Sequence, residues 1–479
     1  MDTVKLDIGY ISGNAVGQTG QEVYVYKGIP YAAPPIRDLR WKPPQPAAPW
    51  SGVRVCSEFS IQAAQPPDIY ANKKMQKLPS SEDCLYLNVL TPARKNTDKL
   101  PVMVWFHGGG LRYGNGNSSL CNSLGLPRHG VVLVTVNSRL GVMGLFAHPL
   151  LSNESPQGAS GNYLFLDMIA SLEWVKRNIA AFGGDPDNVT IFGQSGGGLK
   201  VAALIASPLA KGLFHRAIIE SGGKFEPTQL EVLEKFGEKL FAKLGVDKEK
   251  DPLASARAMP WEKIIELEQA LNVELGNEYV FMGPWNIALD GWFMPDSIFN
   301  LFQTGKRNEV PYLMISNMGE LTGPGLVVID GMITVYLKLL SAPSKAGSKG
   351  YVAVFDRVPD GWRQEGCVAA HGIELHYVFG ALDNREEWEG QVINYSSSGA
   401  KSPVPIITDT DKKVSEAVMT IWTQFARTGN PSVKGLIEWP AWDKTNDQYL
   451  LISERLQVKS GYSDLTKIKG IRTSKSINI

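Results

Sequence analysis

The chain has 479 residues, of which 43% are hydrophobic and 20% are charged, an ordinary composition for a globular protein. Lysine plus arginine and aspartate plus glutamate each number 48, so the charge balance predicts no nucleic-acid partner. No run approaches the ~18 consecutive apolar residues of a membrane span, and no basic segment followed by an apolar stretch marks a signal peptide. The sequence therefore predicts a cytoplasmic protein, although a processed secreted form would look the same.

The first 100 residues combine short β-rich runs with segments that are dense in proline. Residues 23–26 form one such run, whereas residues 31–49 carry repeated prolines and are typical of extended loop. We expect antiparallel edge strands and wrapping loops here. Four cysteines, which lack any C-x-x-C pair, are expected to be mostly reduced and to bind no zinc: Cys56, Cys84, Cys121 and Cys367.

From residue 100 onward, short apolar runs alternate with helical patterns. The runs suit strands buried on both faces of a parallel sheet and lie at 101–106, 131–136, 189–192, 217–219, 310–315 and 351–355. Helical spacing marks residues 164–181, 197–206 and 413–427, the last stopped by a Gly-Asn-Pro sequence. This alternation predicts an α/β fold, with a large, mostly parallel central sheet and helices on both faces.

Residues 225–305 differ from this pattern because they are more charged and more helical. Helices are expected at 230–244 and 260–268, followed by an aromatic cluster near 279–293. We interpret 225–305 as a helical insertion that forms a lid or pocket wall within one domain spanning 1–479. Further pocket walls are expected from 60–80 and 325–350.

Gly193-Gln194-Ser195-Gly196-Gly197 matches the G-x-S-x-G pattern. The flanking glycines let a tight strand-to-helix turn close with the serine hydroxyl exposed. A predicted strand precedes the pattern and a small-residue helix follows it, which is the context that the pattern requires. A Gly/Ser turn at a helix start is the simpler alternative, but this context predicts that Ser195 is a nucleophile.

A second glycine-rich turn, His107-Gly108-Gly109-Gly110, follows another predicted strand. Acyl transfer places negative charge on a carbonyl oxygen, and inward-pointing backbone N–H groups stabilise it. Alone, the turn would be a flexible connection. Together with the N–H of Gly196, directly after the nucleophile, it predicts an oxyanion hole.

A serine hydroxyl needs a base, and an acid orients that base. In α/β-hydrolases the chain order is nucleophile, acid, histidine, so of the six histidines only His371 and His376 lie late enough. His371 follows a predicted strand across a glycine-containing loop and is the predicted base, whereas His376 lies in an apolar segment and is predicted to be structural. Glu320, after the strand at 310–315, is the candidate acid, with Asp330 its nearest rival, and a surface carboxylate is the simpler interpretation of either residue.

These residues, and much of the chain, resemble the type-B carboxylesterase family, which includes cholinesterases and bacterial p-nitrobenzyl esterases. The resemblance spans nearly the whole chain in conserved order, and it rests on Lys27-Gly-Ile-Pro-Tyr-Ala32, Ser81-Glu-Asp-Cys-Leu-Tyr-Leu-Asn88, Phe106-His-Gly-Gly-Gly110, Gly161-Asn-Tyr163, Ala181-Phe-Gly-Gly-Asp-Pro186, Ser207-Pro-Leu-Ala-Lys-Gly-Leu-Phe-His-Arg216 and His371-Gly-Ile-Glu-Leu375. It implies an α/β-hydrolase fold, with no metal and no organic cofactor. It also implies a triad of Ser195, Glu320 and His371, oxyanion donors at Gly109, Gly110 and Gly196, and a buried hydroxyl, Ser221, near the acid and the histidine.

The sequence departs from the family pattern at several positions. Gln194 and Gly196 replace the usual Glu and Ala beside the nucleophile, and Gln194 removes a negative charge there. Lys200 stands where a small polar residue is common. Cys84 matches a family disulfide position whose expected partner position is Ala63, with Cys56 a possible substitute.

The leading hypothesis is a serine esterase that hydrolyses uncharged carboxylic esters through an acyl-enzyme intermediate. A specialised hydrolase of a bulky natural-product ester, carbamate or amide stays open, because pocket walls set the substrate. A binding module is the third hypothesis, since some relatives in the family are adhesion proteins that lost the serine. We expect no nucleic-acid partner, no membrane span, and a monomer or small homo-oligomer.

Overall fold

The structure is a computed structural model that describes residues 3–67, 78–223, 226–276, 284–320, 329–364, 368–384, 388 and 405–467. Its strands, in chain order, are β1 Thr3–Leu6, β2 Gly9–Ser12, β3 Asn14–Val16, β4 Val23–Pro30, β5 Val53–Val55, β6 Gln62–Ala63, β7 Ser80–Ser81, β8 Tyr86–Thr91, β9 Leu100–Phe106, β10 Val132–Val136, β11 Gly184–Gln194, β12 Arg216–Glu220, β13 Thr228–Gln229, β14 Ala288–Leu289, β15 Tyr312–Asn317, β16 Gly350–Phe355, β17 Gln448–Ile452 and β18 Leu456–Ser460. The helices are α1 Gly125–Arg128, α2 Gly141–Leu145, α3 Pro149–Glu154, α4 Tyr163–Asn178, α5 Gly196–Ala206, α6 Leu230–Leu244, α7 Pro252–Ala258, α8 Trp261–Glu274, α9 Ile298–Gln303, α10 Ile329–Leu340, α11 Asp360–Gln364, α12 Leu375–Val378 and α13 Asp409–Thr428. Short 3-10 turns lie at Arg37–Leu39, Ile179–Phe182, Pro208–Ala210 and Ser463–Lys467.

Eleven strands form the central sheet, in the order β18-β17-β16-β15-β12-β11-β9-β10-β8-β4-β3. From β17 to β10 neighbouring strands run parallel, whereas the pairings at both ends are antiparallel. The predicted mostly parallel sheet, with antiparallel strands from the first 100 residues at one edge, is confirmed. A separate small sheet joins β1, β2 and β5.

Both faces of the central strands are buried because apolar residues point to both sides of the sheet. In β9, Val102 and Val104 pack in one hydrophobic core with α4 and α5, while Met103 and Trp105 pack in a second core with α13. This alternation follows from the two-residue period of a strand. The predicted helices on both faces are therefore present, which is the doubly wound arrangement of the α/β-hydrolase fold.

The predicted helices agree with the structure, with differences at their ends. The pattern at 164–181 divides into α4 and the 3-10 turn that follows it, which ends at Gly183 with φ 77°. The helix predicted at 260–268 continues to Glu274. Within the described parts of the chain, no helix is both long enough and apolar enough to cross a bilayer.

The strand directions bring the predicted site residues to one edge of the sheet. The glycine-rich turn follows β9, Ser195 follows β11, Ser221 follows β12, Glu320 follows β15 and His371 lies beyond β16. Since these strands are parallel, their carboxyl ends meet at the same edge, where α/β proteins place their ligand sites.

Candidate active site

Ser195 occupies the turn between β11 and α5 in a strained backbone conformation. Its φ is 58° and its ψ is −121°, a region that residues with a side chain rarely adopt. The turn is held because the Ser195 N–H donates to the carbonyl of Glu220 at 2.8 Å and its own carbonyl accepts from the N–H of Leu199. The result is a partly exposed serine at the amino-terminal end of a buried helix.

The glycines around Ser195 are required by close backbone packing. A Cβ on Gly197 would stand 2.0 Å from the carbonyl oxygen of Phe106, and one on Gly193 would stand 2.6 Å from the same oxygen. Both distances are far below those of real Cβ contacts. The G-x-S-x-G pattern therefore lets α5 approach the end of β9 as closely as backbone allows.

His371 and Glu320 lie in direct contact. The Nδ1 of His371 is 2.5 Å from Oε2 of Glu320, whose side chain is fully buried, whereas that of His371 is 12% exposed. Burial disfavours the charged imidazole, but the Glu320 carboxylate outweighs burial and raises the pKa of His371 above its usual range. Glu320 thereby fixes the tautomer with a proton on Nδ1 and leaves Nε2 to accept.

Two further groups hold the Glu320 carboxylate in place. Its Oε1 accepts hydrogen bonds from the Ser221 hydroxyl at 2.6 Å and from the N–H of Asn317 at 2.7 Å. Ser221 lies directly after β12 with φ 48°. The hydroxyl that the family resemblance places near the acid is thus found against it.

Gln194 contacts the other side of the imidazole. Its side-chain amide donates to Nε2 of His371 at 3.1 Å. Gln194 is the residue before Ser195, so this contact brings the histidine to the nucleophile turn. The amide replaces the carboxylate that the family usually carries here and adds no charge to the site.

The glycine-rich turn after β9 packs against the start of α5. Gly109 and Gly110 have φ values of 94° and 60°, and a Cβ on Gly196 would stand 2.8 Å from the backbone nitrogen of Gly110. A Cβ on Gly108 would lie 3.3 Å from the Cβ of Ser195. The two chain segments that carry the predicted oxyanion donors therefore lie against each other beside the serine, as an oxyanion hole requires.

Two buried glutamates behind the histidine were not singled out from the sequence. Glu374 accepts a hydrogen bond from the Asn317 side chain at 2.5 Å, and burial, followed by the charge of Glu320, raises the pKa of Glu374 to about 7. Glu220 accepts from the indole N–H of Trp422 at 2.7 Å, and burial, followed by the charge of Glu374, raises its pKa well above the usual range. The sequence carried a signal for both, because Glu374 stands inside the quoted motif His371-Gly-Ile-Glu-Leu375 and Glu220 directly precedes Ser221.

The rival residues lie elsewhere. Asp330 is in the first turn of α10, where its carboxylate accepts from the N–H of Gly331. His376 is fully buried in α12 with its ring stacked on Trp388, the centroids 3.6 Å apart. Cys56 and Cys84 are buried free thiols and form no disulfide with each other, and Cys367 lies outside the described residues.

The assembled groups suit acyl transfer. A serine stands on a strained turn, an imidazole that contacts the neighbouring Gln194 is oriented by a buried carboxylate, and the glycine-rich turn packs against the residue after the serine. Among the described residues, no group of three or more metal-ligating side chains could hold a metal ion.

Comparison with known proteins agrees with this geometry. The profile of the carboxylesterase family matches residues 1–329 and 315–467. Carboxylesterase 1C of Mus musculus is 32% identical over 527 residues, covering 94% of this chain and 89% of that protein. Para-nitrobenzyl esterase of Bacillus subtilis is 32% identical over 488 residues, covering 94% and 95%. Among solved structures, a thermophilic PNB esterase superposes with a TM-score of 0.81 at 30% identity, covering 96% of this chain and 97% of that one. The chain belongs to the carboxylesterase family.

Proposed function

We propose that this chain hydrolyses uncharged carboxylic esters through an acyl-enzyme intermediate carried on Ser195. Its family membership supports carboxylic-ester hydrolysis by a serine enzyme, rather than a specialised reaction on amides or carbamates. The observation that carries the residue assignment is the 2.5 Å contact between His371 and Glu320, next to a serine with positive φ.

In this proposal, His371 acts as the general base. Its Nε2 takes the hydroxyl proton as the Ser195 oxygen attacks the ester carbonyl, and Glu320 stabilises the imidazolium that forms. The N–H groups of Gly109, Gly110 and Gly196 stabilise the negative carbonyl oxygen. Collapse of the tetrahedral intermediate breaks the bond to the alcohol, which receives the proton from His371, and a water activated by the same imidazole then releases the acid.

The preference for uncharged esters follows from the groups beside the serine. Gln194 contributes an amide where many relatives have a carboxylate, and Glu320 is already paired with His371. Neither group offers a free charge to a substrate. A charged alcohol or acyl group would therefore find no compensation for its desolvation from these two groups.

Replacing Ser195 by alanine tests the assignment. We expect kcat for a p-nitrophenyl ester to fall by about 10⁴- to 10⁶-fold while the circular dichroism spectrum is unchanged. A fluorophosphonate should label the wild-type chain and leave Ser195→Ala unlabelled. The control is Ser51→Ala at an exposed serine, which should match the wild type. Retained turnover or labelling in Ser195→Ala would refute the assignment.

We further propose that the chain is one domain and that residues 225–305 form part of the pocket wall. In support, a cavity of about 380 Å³ lies between the segment around Gln62 and Gln65 and the helix α8, bordered by Gly114, Trp261 and Gln269. Gly114 packs closely against His107, the residue before the glycine-rich turn, because a Cβ on Gly114 would lie 2.6 Å from Nδ1 of the His107 ring. Gln269→Trp should lower kcat/KM for long acyl chains more than for acetate, and an unchanged chain-length profile would contradict this role.

A cytoplasmic location and a monomeric or small homo-oligomeric state remain part of the proposal. The buried free thiols of Cys56 and Cys84 are compatible with a reducing compartment. Fractionation of cells that express the natural gene would test the location, and light scattering on the purified chain would test the assembly. A secreted or highly oligomeric protein would contradict these two points.

A further inference from the structure

Lys200 is a fully buried lysine inside the helix that carries the nucleophile. It lies in α5, five residues after Ser195, and is 0% exposed. Its ammonium nitrogen donates a hydrogen bond to the carbonyl of His107 at 3.0 Å. His107 is the residue before the glycine-rich turn, so this bond joins the nucleophile helix to the oxyanion turn.

Burial of Lys200 carries a large desolvation free-energy cost. Among the described residues no carboxylate pairs with it, and burial lowers its pKa to about 7. A lysine in an apolar interior is often replaced by an aliphatic residue of similar volume without loss of stability, because the desolvation penalty disappears. Its presence therefore points to a use for the charge at this position.

The environment directs that charge towards the oxyanion turn. The Nδ1–H of His107 donates to the carbonyl of Gly108, while burial, together with the charge of Lys200, holds the pKa of His107 well below its usual range. His107 is thus neutral, and Lys200 supplies the positive charge at the base of the turn. Hydrogen bonding to the His107 carbonyl also polarises the peptide group that leads into the turn.

The other charged groups on the elements packed against α5 do not offset Lys200. On β11 they are Asp185 and Asp187, and on β12 they are Arg216 and Glu220. Glu220 is buried against Trp422, and burial favours its neutral form by raising its pKa. β9 and α9 carry no titratable residue.

We propose that Lys200, in its ammonium form, is a positioning residue that holds the oxyanion turn against the nucleophile helix and adds positive potential where negative charge develops. This inference rests on the proposed function, since it requires acyl transfer at Ser195. Lys200 must carry its proton for this role, whereas His371 must be neutral to act as a base. Activity therefore falls on the alkaline side as Lys200 loses its proton, to a lower plateau, because a neutral amine still donates a hydrogen bond.

The test compares Lys200→Met and Lys200→Gln with the wild type, using kcat per active site as counted by fluorophosphonate labelling. Lys200→Met keeps the volume and removes both charge and donor, and we expect kcat to fall by about 10- to 100-fold with KM changed by less than about 3-fold. Lys200→Gln keeps a donor and should lie between the two. Both should lack the alkaline decline that we expect of the wild type as the pH rises through about 7. Lys211→Met, at an exposed lysine, is the matched control and should behave as wild type.

Wild-type kcat per labelled site in Lys200→Met would overturn the inference, as would an alkaline limb that persists in both variants. If neither variant folds, the wild-type profile decides, because a kcat that rises with pH and then shows no decline up to about pH 9 would also overturn the inference. Failure of a fluorophosphonate to label the wild-type chain is a different result, which would remove the proposed function itself.

Discussion

The backbone strain at Ser195 predicts that the nucleophile is held at a cost in stability. A non-glycine residue at φ 58° and ψ −121° is disfavoured by about 1–3 kcal/mol, whereas glycine adopts this region freely. Ser195→Gly should therefore relieve the strain, and Ser195→Ala should keep it. Because glycine loses about 0.5–1 kcal/mol more backbone entropy on folding, the net gain over Ser195→Ala is on the order of 1 kcal/mol.

Differential scanning calorimetry on the two inactive variants measures this difference. For a chain of this length the unfolding entropy makes 1 kcal/mol equivalent to about 1 °C in Tm, so the expected rise in Ser195→Gly over Ser195→Ala is about 1 °C. The matched control is Ser51, which is not among the residues with positive φ. There the change to glycine should lower the Tm or leave it unchanged.

A lower Tm for Ser195→Gly than for Ser195→Ala would refute the idea of stored strain. Both variants lack the hydroxyl, so lost catalysis cannot account for a difference between them. The comparison therefore separates the energy of the turn from the chemistry performed on it.

Three further outcomes follow from contacts around the site. Gly197→Ala places a Cβ 2.0 Å from a carbonyl at the end of β9, so we expect a loss of more than about 3 kcal/mol, checked by soluble yield and fluorophosphonate labelling. Glu268 in α8 pairs with Arg112 at 2.7 Å, and both side chains are buried. Glu268→Gln should cost about 3 kcal/mol in denaturant unfolding by leaving an unpaired cation, and adding Arg112→Met should recover most of it. In Glu320→Gln the pKa of His371 should fall, because the carboxylate that raises it is gone, so the acid limb of kcat/KM should move to lower pH while kcat drops. An unmoved acid limb would contradict the pairing.

The sequence predicted those parts of the molecule that local patterns determine. Apolar runs such as residues 101–106 indicated buried parallel strands, and the glycine spacing around Ser195 indicated a tight strand-to-helix turn. Chain order narrowed the base to two histidines. The choice of Glu320 over Asp330 depended on family resemblance, because both follow the same strand and no spacing rule separates them.

The contacts that escaped prediction join segments that are distant along the chain. Glu220 meets Trp422 across 202 residues, and Gln194 meets His371 across 177. Such long-range contacts depend on strand order and helix packing, and neither produces a periodic pattern in the sequence. For the same reason the sequence marked Lys200 as unusual but gave no hint that its ammonium group reaches His107.

Close backbone contacts at four glycines make amino-acid substitution less tolerable there than in other parts of the molecule. These are Gly193, Gly197, Gly198 and Gly222. At each of these positions an added methyl group would stand less than 3 Å from neighbouring backbone, so random variation there would yield mostly misfolded chains. The helices between residues 230 and 274 carry no such restriction along their exposed sides. A library designed to alter substrate range should therefore vary these helices and leave the four glycines unchanged. New selectivity can then be selected on an unaltered reaction centre.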